Sequence, residues 1–484
     1  MNRFSLRVSE LFYLLLALST VTVFALQVEA SLPYFLCCVL LAMPLILVHR
    51  EHPYRYFLLF ASTALYLAYM IRPLVLLTNL KAYKYDRIGN VGLAEIVERM
   101  WDLIPLFGFF LAGICLPILL FKPTVKHDLE EVQSPLVANA KWVALLAWAS
   151  LAVTLALAVF FNIGLKNVAS SAPHLQFISR FTPTLLMLAS GMVLVQLYGH
   201  RLTPATMYSL YGFLVATGVF ELLIRGSKAG LAVIFFCWFV AHAINRNDFK
   251  MRPEGVIAIV CGIVVCCMVA FSLSNKVRYA STSDGLFGRA ASAVTNYSSE
   301  VNLAESADDF TGRMCGFDGQ LVVQQSRPVG LRKSFQFKNI AWNTLARVVP
   351  GMGTRSMTTG KAIAVYYQGA KKSTRFAGGV GLFGTLTLFS FGREWLFAIG
   401  FGFVIALLFR VVDSIRDPGV STVIQIAFFY YLIQLVISGG IGFVVGNFVV
   451  VLGQAFGLVC LAHLANPSRK EDAYATLSSS GVSA

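Results

Sequence analysis

The stretch DLIPLFGFFLAGICLPILLF, residues 102–121, decides the fold class of this 484-residue chain, because its only charged side chain is Asp102. A bilayer core is about 30 Å thick, and about 20 apolar residues of α-helix cross it. Comparable stretches lie at 9–27, 31–48, 56–76, 141–163, 180–198, 204–223, 229–244, 255–273, 394–410, 420–438 and 441–462. The pattern predicts an all-α polytopic integral membrane protein with about 12 transmembrane helices.

The composition supports this fold class and argues against several others. Hydrophobic residues make up 57% of the chain and charged residues 13%, whereas soluble domains carry about 25% charged residues. A cytosolic enzyme, a disordered protein and a nucleic-acid-binding module are therefore disfavoured, and we expect membrane lipids rather than nucleic acid as partners. The nine Cys lie mostly in apolar segments, without metal-ligand spacing, which predicts buried thiols, no metal and no cofactor.

The N-terminus resembles a secretory signal. Arg3 and Arg7 precede an apolar run, and Val28-Glu29-Ala30 resembles a cleavage site. Because many apolar segments follow, we interpret this region as an uncleaved first span.

The placement of Lys and Arg predicts the orientation. The turns 49–55 and 245–253 are strongly basic, and basic short loops stay in the cytoplasm. Both termini are then cytoplasmic. The predicted organisation is an N-terminal bundle of about nine spans, a large extracytoplasmic loop with membrane-surface helices between spans 9 and 10, about three C-terminal spans and a disordered tail. These parts cover residues 1–273, 274–393, 394–465 and 466–484.

The predicted large loop is basic. It contains 15 Lys or Arg and six Asp or Glu, a net charge of +9. Long translocated loops escape the rule that keeps basic residues inside. A basic surface beside a membrane favours an anionic partner, and phosphate or pyrophosphate head groups are the obvious candidates.

A first candidate site runs from Glu221 to Gly230, between two predicted spans. Glu221 and Arg225 are four residues apart, so they can pair on one helix face. Arg225 and Lys228, with flanking glycines, favour a phosphate clamp. The alternative is an interfacial anchor with a structural ion pair.

A second candidate site is the acidic-basic run 305–318. Asp309 and Arg313 have helical spacing, and Asp318 follows. A carboxylate there is a candidate general base for a sugar hydroxyl, with Arg313 beside it. The alternative is a helix cap with a surface ion pair.

A third candidate site, residues 342–392, interleaves aromatic and basic residues. Aromatic rings stack on sugar faces, while cations hold phosphates. An amphipathic segment lying on the membrane would have a similar sequence. The candidate binding residues are Trp342, Arg347, Arg355, Lys361, Tyr366 and Tyr367.

At these residues the chain resembles the bacterial O-antigen and exopolysaccharide repeat-unit polymerases (Wzy-like), which are related to membrane type C glycosyltransferases. The resemblance is architectural over most of the chain. It is local at Arg225-Gly-Ser-Lys-Ala-Gly, Arg347-Val-Val-Pro350, the stretch from Lys361 through Tyr366-Tyr367, Ser373-Thr374 with Ala377-Gly-Gly, and Phe391-Gly392.

The resemblance implies a metal-independent glycosyltransferase in the bacterial inner membrane. Its substrates would be undecaprenyl-pyrophosphate-linked glycans, polymerised at the periplasmic face, with a chain-length regulator and a flippase as further partners. Arg225, Lys228, Arg313 and Arg347 would bind the diphosphate. Asp309 or Asp318 would be the base or the sugar-positioning group, and Trp342, Tyr366 and Tyr367 would contact sugars.

Three other functions remain open at this stage. An O-antigen ligase would use the same lipid carrier, but such ligases generally have a His in the large loop, and residues 274–393 contain none. A polysaccharide or lipid transporter would carry ionisable groups inside its spans. A structural subunit of an export complex would use the basic loop to bind an acidic partner.

Overall fold

The computed structural model describes most of the apolar segments of the chain. The described residues are 6–49, 52–78, 92–121, 135–165, 171–197, 202–225, 250–251, 316–325, 336–349, 380–390, 392–415 and 418–464, with single positions at 273, 277, 288, 291, 295, 352, 362, 365 and 366. Nearly all of them are helical.

The described elements are mostly α-helices. In chain order they are β1 (Leu6–Arg7), α1 (Val8–Leu26), α2 (Val28–Leu47), α3 (Arg55–Leu65), a π-turn (Tyr66–Met70), α4 (Ile71–Thr78), α5 (Leu93–Leu120), α6 (Pro135–Ala138), α7 (Ala140–Phe161), a 3-10 helix (Pro173–Arg180), α8 (Phe181–Leu197), α9 (Pro204–Val219), a second π-turn (Phe220–Ile224), β2 (Lys250–Met251), α10 (Gly316–Gln325), α11 (Phe337–Val348), α12 (Gly381–Ser390), α13 (Glu394–Asp413), α14 (Pro418–Ser438) and α15 (Ile441–Leu464).

Among the described residues, nine helices are long and apolar enough to cross a membrane. They are Val8–Leu26, Val28–Leu47, Arg55–Thr78, Leu93–Leu120, Ala140–Phe161, Pro204–Ile224, Glu394–Asp413, Val420–Ser438 and Val444–Leu461. The chain is therefore a multi-pass α-helical membrane protein, as the sequence predicts.

The predicted apolar segments coincide with helices wherever the structure describes them. The segment 180–198 corresponds to α8, which has 17 residues. The segment 229–244 lies outside the described residues, as does 255–273 apart from its last position. The tail 466–484 also lies outside them.

Two pairs of consecutive helices are joined by turns of only one or two residues. Gln27 has an extended backbone between α1 and α2, and Gly439 has a φ of +65° between α14 and α15. A left-handed residue after a helix reverses the chain direction, and glycine adopts that conformation without steric cost.

Contacts between helices define two ends of the bundle. At the end that we call the basal end, Arg410 of α13 donates hydrogen bonds to the carbonyls of Pro117 (3.2 Å) and Phe121 (3.0 Å) in and after α5. Its guanidinium also lies over the Tyr54 ring. Because successive long helices run in alternating directions, Arg72 and Gly439 lie toward the opposite end, which we call the Arg72 end.

The two short strands join distant parts of the chain at the basal end. Leu6 pairs with Met251, and Arg7 pairs with Lys250, in an antiparallel ladder. The ladder therefore brings the start of α1 next to a segment about 240 residues later.

Two short helices lie inside the bundle at the Arg72 end. A helix of ten residues is about 15 Å long, half of a bilayer core. Gly381 to Leu388 of α12 are all buried, and so are Gly316 to Leu321 of α10. The side chains of these two helices pack against other helices of the bundle, and the expectation of membrane-surface helices in residues 274–393 stays a prediction.

Candidate functional site

A buried ion pair links α4 to α10 at the Arg72 end. The Nε of Arg72 donates to both carboxylate oxygens of Asp318, at 3.2 and 3.1 Å. Both side chains are 0% exposed. Burying two charges costs several kcal/mol each unless they are paired and hydrogen-bonded. Ionisable residues inside a membrane bundle are accordingly rare and usually functional.

The π-turn Tyr66–Met70 directly precedes Arg72 on the same continuous helix. Its Tyr69 hydroxyl accepts a hydrogen bond from the backbone N–H of Phe383 at 2.8 Å. Its Met70 carbonyl accepts one from the Tyr34 hydroxyl at 3.1 Å. Single π-turns inside α-helices frequently occur at functional sites. This π-turn therefore connects α2, α12 and the ion pair.

Glycines allow α10 and α12 to approach closely. A Cβ atom at Gly381, whose φ is +70°, would lie 2.5 Å from the Cα of Gly316. A Cβ at Gly319 would overlap the backbone of Val380. Real Cβ atoms do not approach backbone this closely, so the contact requires glycine at these positions.

Three buried polar side chains on these two helices make no hydrogen bond within the described part of the chain. They are the amide of Gln320, which is 1% exposed, and the hydroxyls of Thr387 and Ser390. Buried polar groups are normally satisfied by protein or by ordered water. The interior at the Arg72 end is thus polar as well as charged.

Arg225 forms a second ion pair at the Arg72 end. It directly follows the second π-turn and pairs with Glu221, as the i, i+4 spacing predicts. Its Nε donates to the carbonyl of Gly164 at 3.2 Å. Gly164 lies just beyond the end of α7, which places Arg225 where α7 and α9 both end. Its side chain is 17% exposed, so the guanidinium is less enclosed than that of Arg72.

The structure places several other predicted site residues. Trp342 and Arg347 lie on α11, which packs against α15. Both Trp342 and Tyr366 are partly buried. The other candidates lie outside the described residues, namely Lys228, Asp309, Arg313, Arg355, Lys361 and Tyr367.

The geometry changes the interpretation of Asp318. A general base must reach the proton of a substrate hydroxyl. The carboxylate of Asp318 is enclosed and paired with Arg72, so as arranged it cannot do so. This leaves Asp309 as the candidate base in the acidic-basic run.

Arg72 is not among the site residues predicted from the sequence. The residue lies inside the predicted span 56–76, where a charge is costly unless it has a partner. A charged residue inside an apolar span was the sequence signal that could have identified Arg72 as a candidate site residue. The partner, Asp318, is about 250 residues away in sequence, and no local pattern connects the two.

Metal ligation finds no support among the described residues. No group of three His, Cys, Asp or Glu there could hold a metal ion. The four described cysteines, Cys37, Cys38, Cys115 and Cys460, form no disulfide, and the first three are buried, as their apolar surroundings predict.

Comparisons with protein-family models, with curated proteins and with solved structures find no match for this chain. Its function is therefore argued from its own residues and their arrangement.

Proposed function

We propose that this protein is a glycosyltransferase that polymerises undecaprenyl-pyrophosphate-linked repeat units into a surface or secreted polysaccharide. The reaction would take place at the periplasmic face of a bacterial inner membrane. A growing polysaccharide on its lipid carrier is the donor, and another lipid-linked repeat unit is the acceptor.

The observation that carries the proposal is that helices of the basic region 274–393 pack against the Arg72 end. Arg72, Asp318, Glu221 and Arg225 all lie there, and helices α10, α11 and α12 of the basic region 274–393 pack against the same end. For example, Thr385 of α12 donates to the carbonyl of Gly439 at 2.9 Å. Residues 274–393 carry a net charge of +9, and a basic region packed against one end of a membrane bundle fits an anionic, lipid-linked substrate.

Glycosyl transfer from a diphosphate donor would make use of the basic residues of this region. A hydroxyl of the acceptor attacks the anomeric carbon of the donor sugar, and the bond between that carbon and the diphosphate oxygen breaks. The bonding electrons leave with the diphosphate, whose growing negative charge preorganised Arg and Lys stabilise. In this proposal Arg225, Lys228, Arg313 and Arg347 bind the diphosphate, with Arg355 and Lys361 nearby.

The remaining predicted residues have complementary roles. Asp309 takes the proton of the attacking hydroxyl. Trp342, Tyr366 and Tyr367 stack against sugar rings. A chain-length regulator and a flippase are the partners that such a polymerase would need.

We also propose about 12 spans, with both termini in the cytoplasm and residues 274–393 on the outer side. The ladder between Arg7 and Lys250 supports this topology. Two segments that pair directly lie on the same side of the membrane, so an even number of crossings separates them. Eight predicted spans fall between these two residues.

The topology predicts opposite labelling of two exposed positions. In a variant without native cysteines, Ser171→Cys should react with a membrane-impermeant maleimide in cells with a permeabilised outer membrane, because Ser171 follows α7 at the Arg72 end. Ser414→Cys, just beyond α13 at the basal end, should react only after the inner membrane is broken. The reverse pattern would contradict the orientation.

The function predicts a defect in chain length. A deletion strain should lose long glycan chains on gel separation while still exporting single repeats, and the wild-type gene should restore them. Arg225→Ala should reduce long chains about 100-fold, because a lost cation no longer stabilises the leaving diphosphate. Arg225→Lys should be intermediate, since Lys keeps the charge without the planar fork.

A matched control distinguishes this effect from general damage. Arg99→Ala removes another helix-borne Arg at the start of α5, and it should leave chain length unchanged. Long polymer accumulating on the lipid carrier would instead indicate a ligase. Repeats trapped in the cytoplasmic leaflet would indicate a flippase.

A further inference from the structure

The ladder between β1 and β2 places two basic residues side by side at the basal end. Arg7 is directly opposite Lys250 in the antiparallel register, and Leu6 is directly opposite Met251. Directly opposite residues lie on the same face of such a ladder, with Cβ atoms about 5 Å apart. Successive residues of a strand alternate between the two faces. The ladder therefore has one basic face and one apolar face.

The basic face lies at the depth of the phospholipid head groups. Arg7 directly precedes α1, which has 19 residues from Val8 to Leu26. A helix of this length is about 28 Å long, and a bilayer core is about 30 Å thick. When α1 crosses the membrane, Arg7 consequently lies where the hydrocarbon core ends. The ladder brings Lys250 to the same level.

The pairing of these two residues is unfavourable unless an anion compensates their charge. Like charges that are directly opposite in a ladder destabilise it, and a cation beside the first turn of α1 opposes the helix dipole. The carboxylate of Glu10 accepts a hydrogen bond from the backbone N–H of Arg7 at 2.8 Å. The guanidinium of Arg7 forms no ion pair within the described part of the chain.

The chemistry of the pair fits a phosphate group. Arg supplies a planar fork of donors and Lys a compact charge on a flexible stem, and both bind phosphate oxygens. At head-group depth the available phosphates belong to phospholipids, and basic residues near the surface attract those with a net negative charge. A zwitterionic phospholipid carries its own compensating cation, so it relieves the repulsion less.

We propose that the basic face of this ladder, formed by Arg7 and Lys250, is a binding site for the phosphate of an anionic phospholipid. By neutralising the two cations, the lipid stabilises the pairing of β1 with β2. The site lies at the basal end, and it does not depend on the proposed function.

The test measures lipid binding to purified full-length protein in neutral detergent. A short-chain phosphatidylglycerol is titrated first, and a short-chain phosphatidylcholine is the zwitterionic comparison. The variants are Arg7→Gln, Lys250→Gln and the double variant, which remove charge, and Arg7→Lys, which keeps it. Lys141→Gln is the matched control, because Lys141 is an exposed cation at the basal start of α7 and lies outside the ladder.

The dissociation constant should respond to the charge of the ladder. Arg7→Gln and Lys250→Gln should each raise the Kd for phosphatidylglycerol about fivefold, and the double variant should raise it about 25-fold. Arg7→Lys should keep most of the affinity, and Lys141→Gln should match the wild type. Phosphatidylcholine should bind more weakly than phosphatidylglycerol, with a Kd that the double variant does not change.

Amide hydrogen exchange in peptides that contain Arg7 or Lys250 gives a second readout. Without anionic lipid, Lys250→Gln should slow exchange in the ladder about twofold relative to the wild type, because the like-charge repulsion is gone. With saturating phosphatidylglycerol the order should reverse, and the wild-type ladder should be the more protected. A ladder with only a structural role would give the same order in both conditions.

Several results would overturn the proposal. They are equal Kd values for the two lipids, an unchanged Kd for phosphatidylglycerol in the double variant, and an equal loss of affinity in Lys141→Gln. Inorganic phosphate that competes as well as the lipid would show a site for free phosphate instead. If the double variant does not fold, the comparison of Arg7→Gln with Arg7→Lys decides, and equal affinities of these two would also refute the site.

Discussion

Replacing Arg72 alone with Met should lower the free energy of unfolding by about 3–5 kcal/mol and deplete the folded protein from the membrane. The single substitution leaves the carboxylate of Asp318 at 0% exposure without the guanidinium that neutralises it. A buried charge that loses its partner retains its desolvation cost and gains nothing in return. Asp318→Leu should be similarly harmful, because it leaves the guanidinium buried.

The measurement is the thermal midpoint of purified protein in detergent, followed by size-exclusion chromatography after heating. Arg99→Met is the matched control. It breaks the pair with Asp102, whose side chain is 40% exposed, so it should cost less than about 1 kcal/mol. Equal midpoints for Arg72→Met and Arg99→Met would mean that the Arg72 pair is not isolated from water.

The second large effect is expected at Gly439. In Gly439→Ala the new Cβ would overlap the carbonyl oxygen of Gly381 and the hydroxyl of Thr385, and the backbone would keep a φ of +65°. Left-handed backbone costs a non-glycine residue about 1–2 kcal/mol, and overpacking adds about 1–3 kcal/mol. The substitution should also break the hydrogen bond that holds α12.

Gly453→Ala in α15 is the control, because a Cβ there meets nothing within 4 Å. We expect it to have the abundance and thermal midpoint of the wild type. Gly439→Ala should unfold at a clearly lower temperature, with less protein in the membrane. A neutral Gly439→Ala would refute the tight packing of α12 against the turn between α14 and α15.

The sequence predicted the long helices because their signal is local. A run such as 102–121 has to be buried in lipid or protein whatever surrounds it, and α5 covers it from Leu93 to Leu120. The pairing of Glu221 with Arg225 was likewise predictable from spacing on one helix.

The short buried helices were not predictable in this way. The stretch 382–391 is too short to span a bilayer, and its composition also fits a segment on the membrane surface. Its burial depends on contacts with Tyr69 and Gly439, both distant in sequence. The pairing of Arg72 with Asp318 is equally non-local, so the centre of the candidate site appears only in three dimensions.

The ladder between β1 and β2 has a consequence for biosynthesis. Leu6 and Arg7 leave the ribosome long before Lys250 and Met251. At about 5–20 residues per second, the interval is on the order of 10–50 s. During that time the intervening helices enter the membrane while the first strand has no pairing partner. The two strands can pair only after these helices are inserted in the membrane. Their pairing is therefore a late step of folding, and it requires the N-terminal half to be inserted with the correct topology.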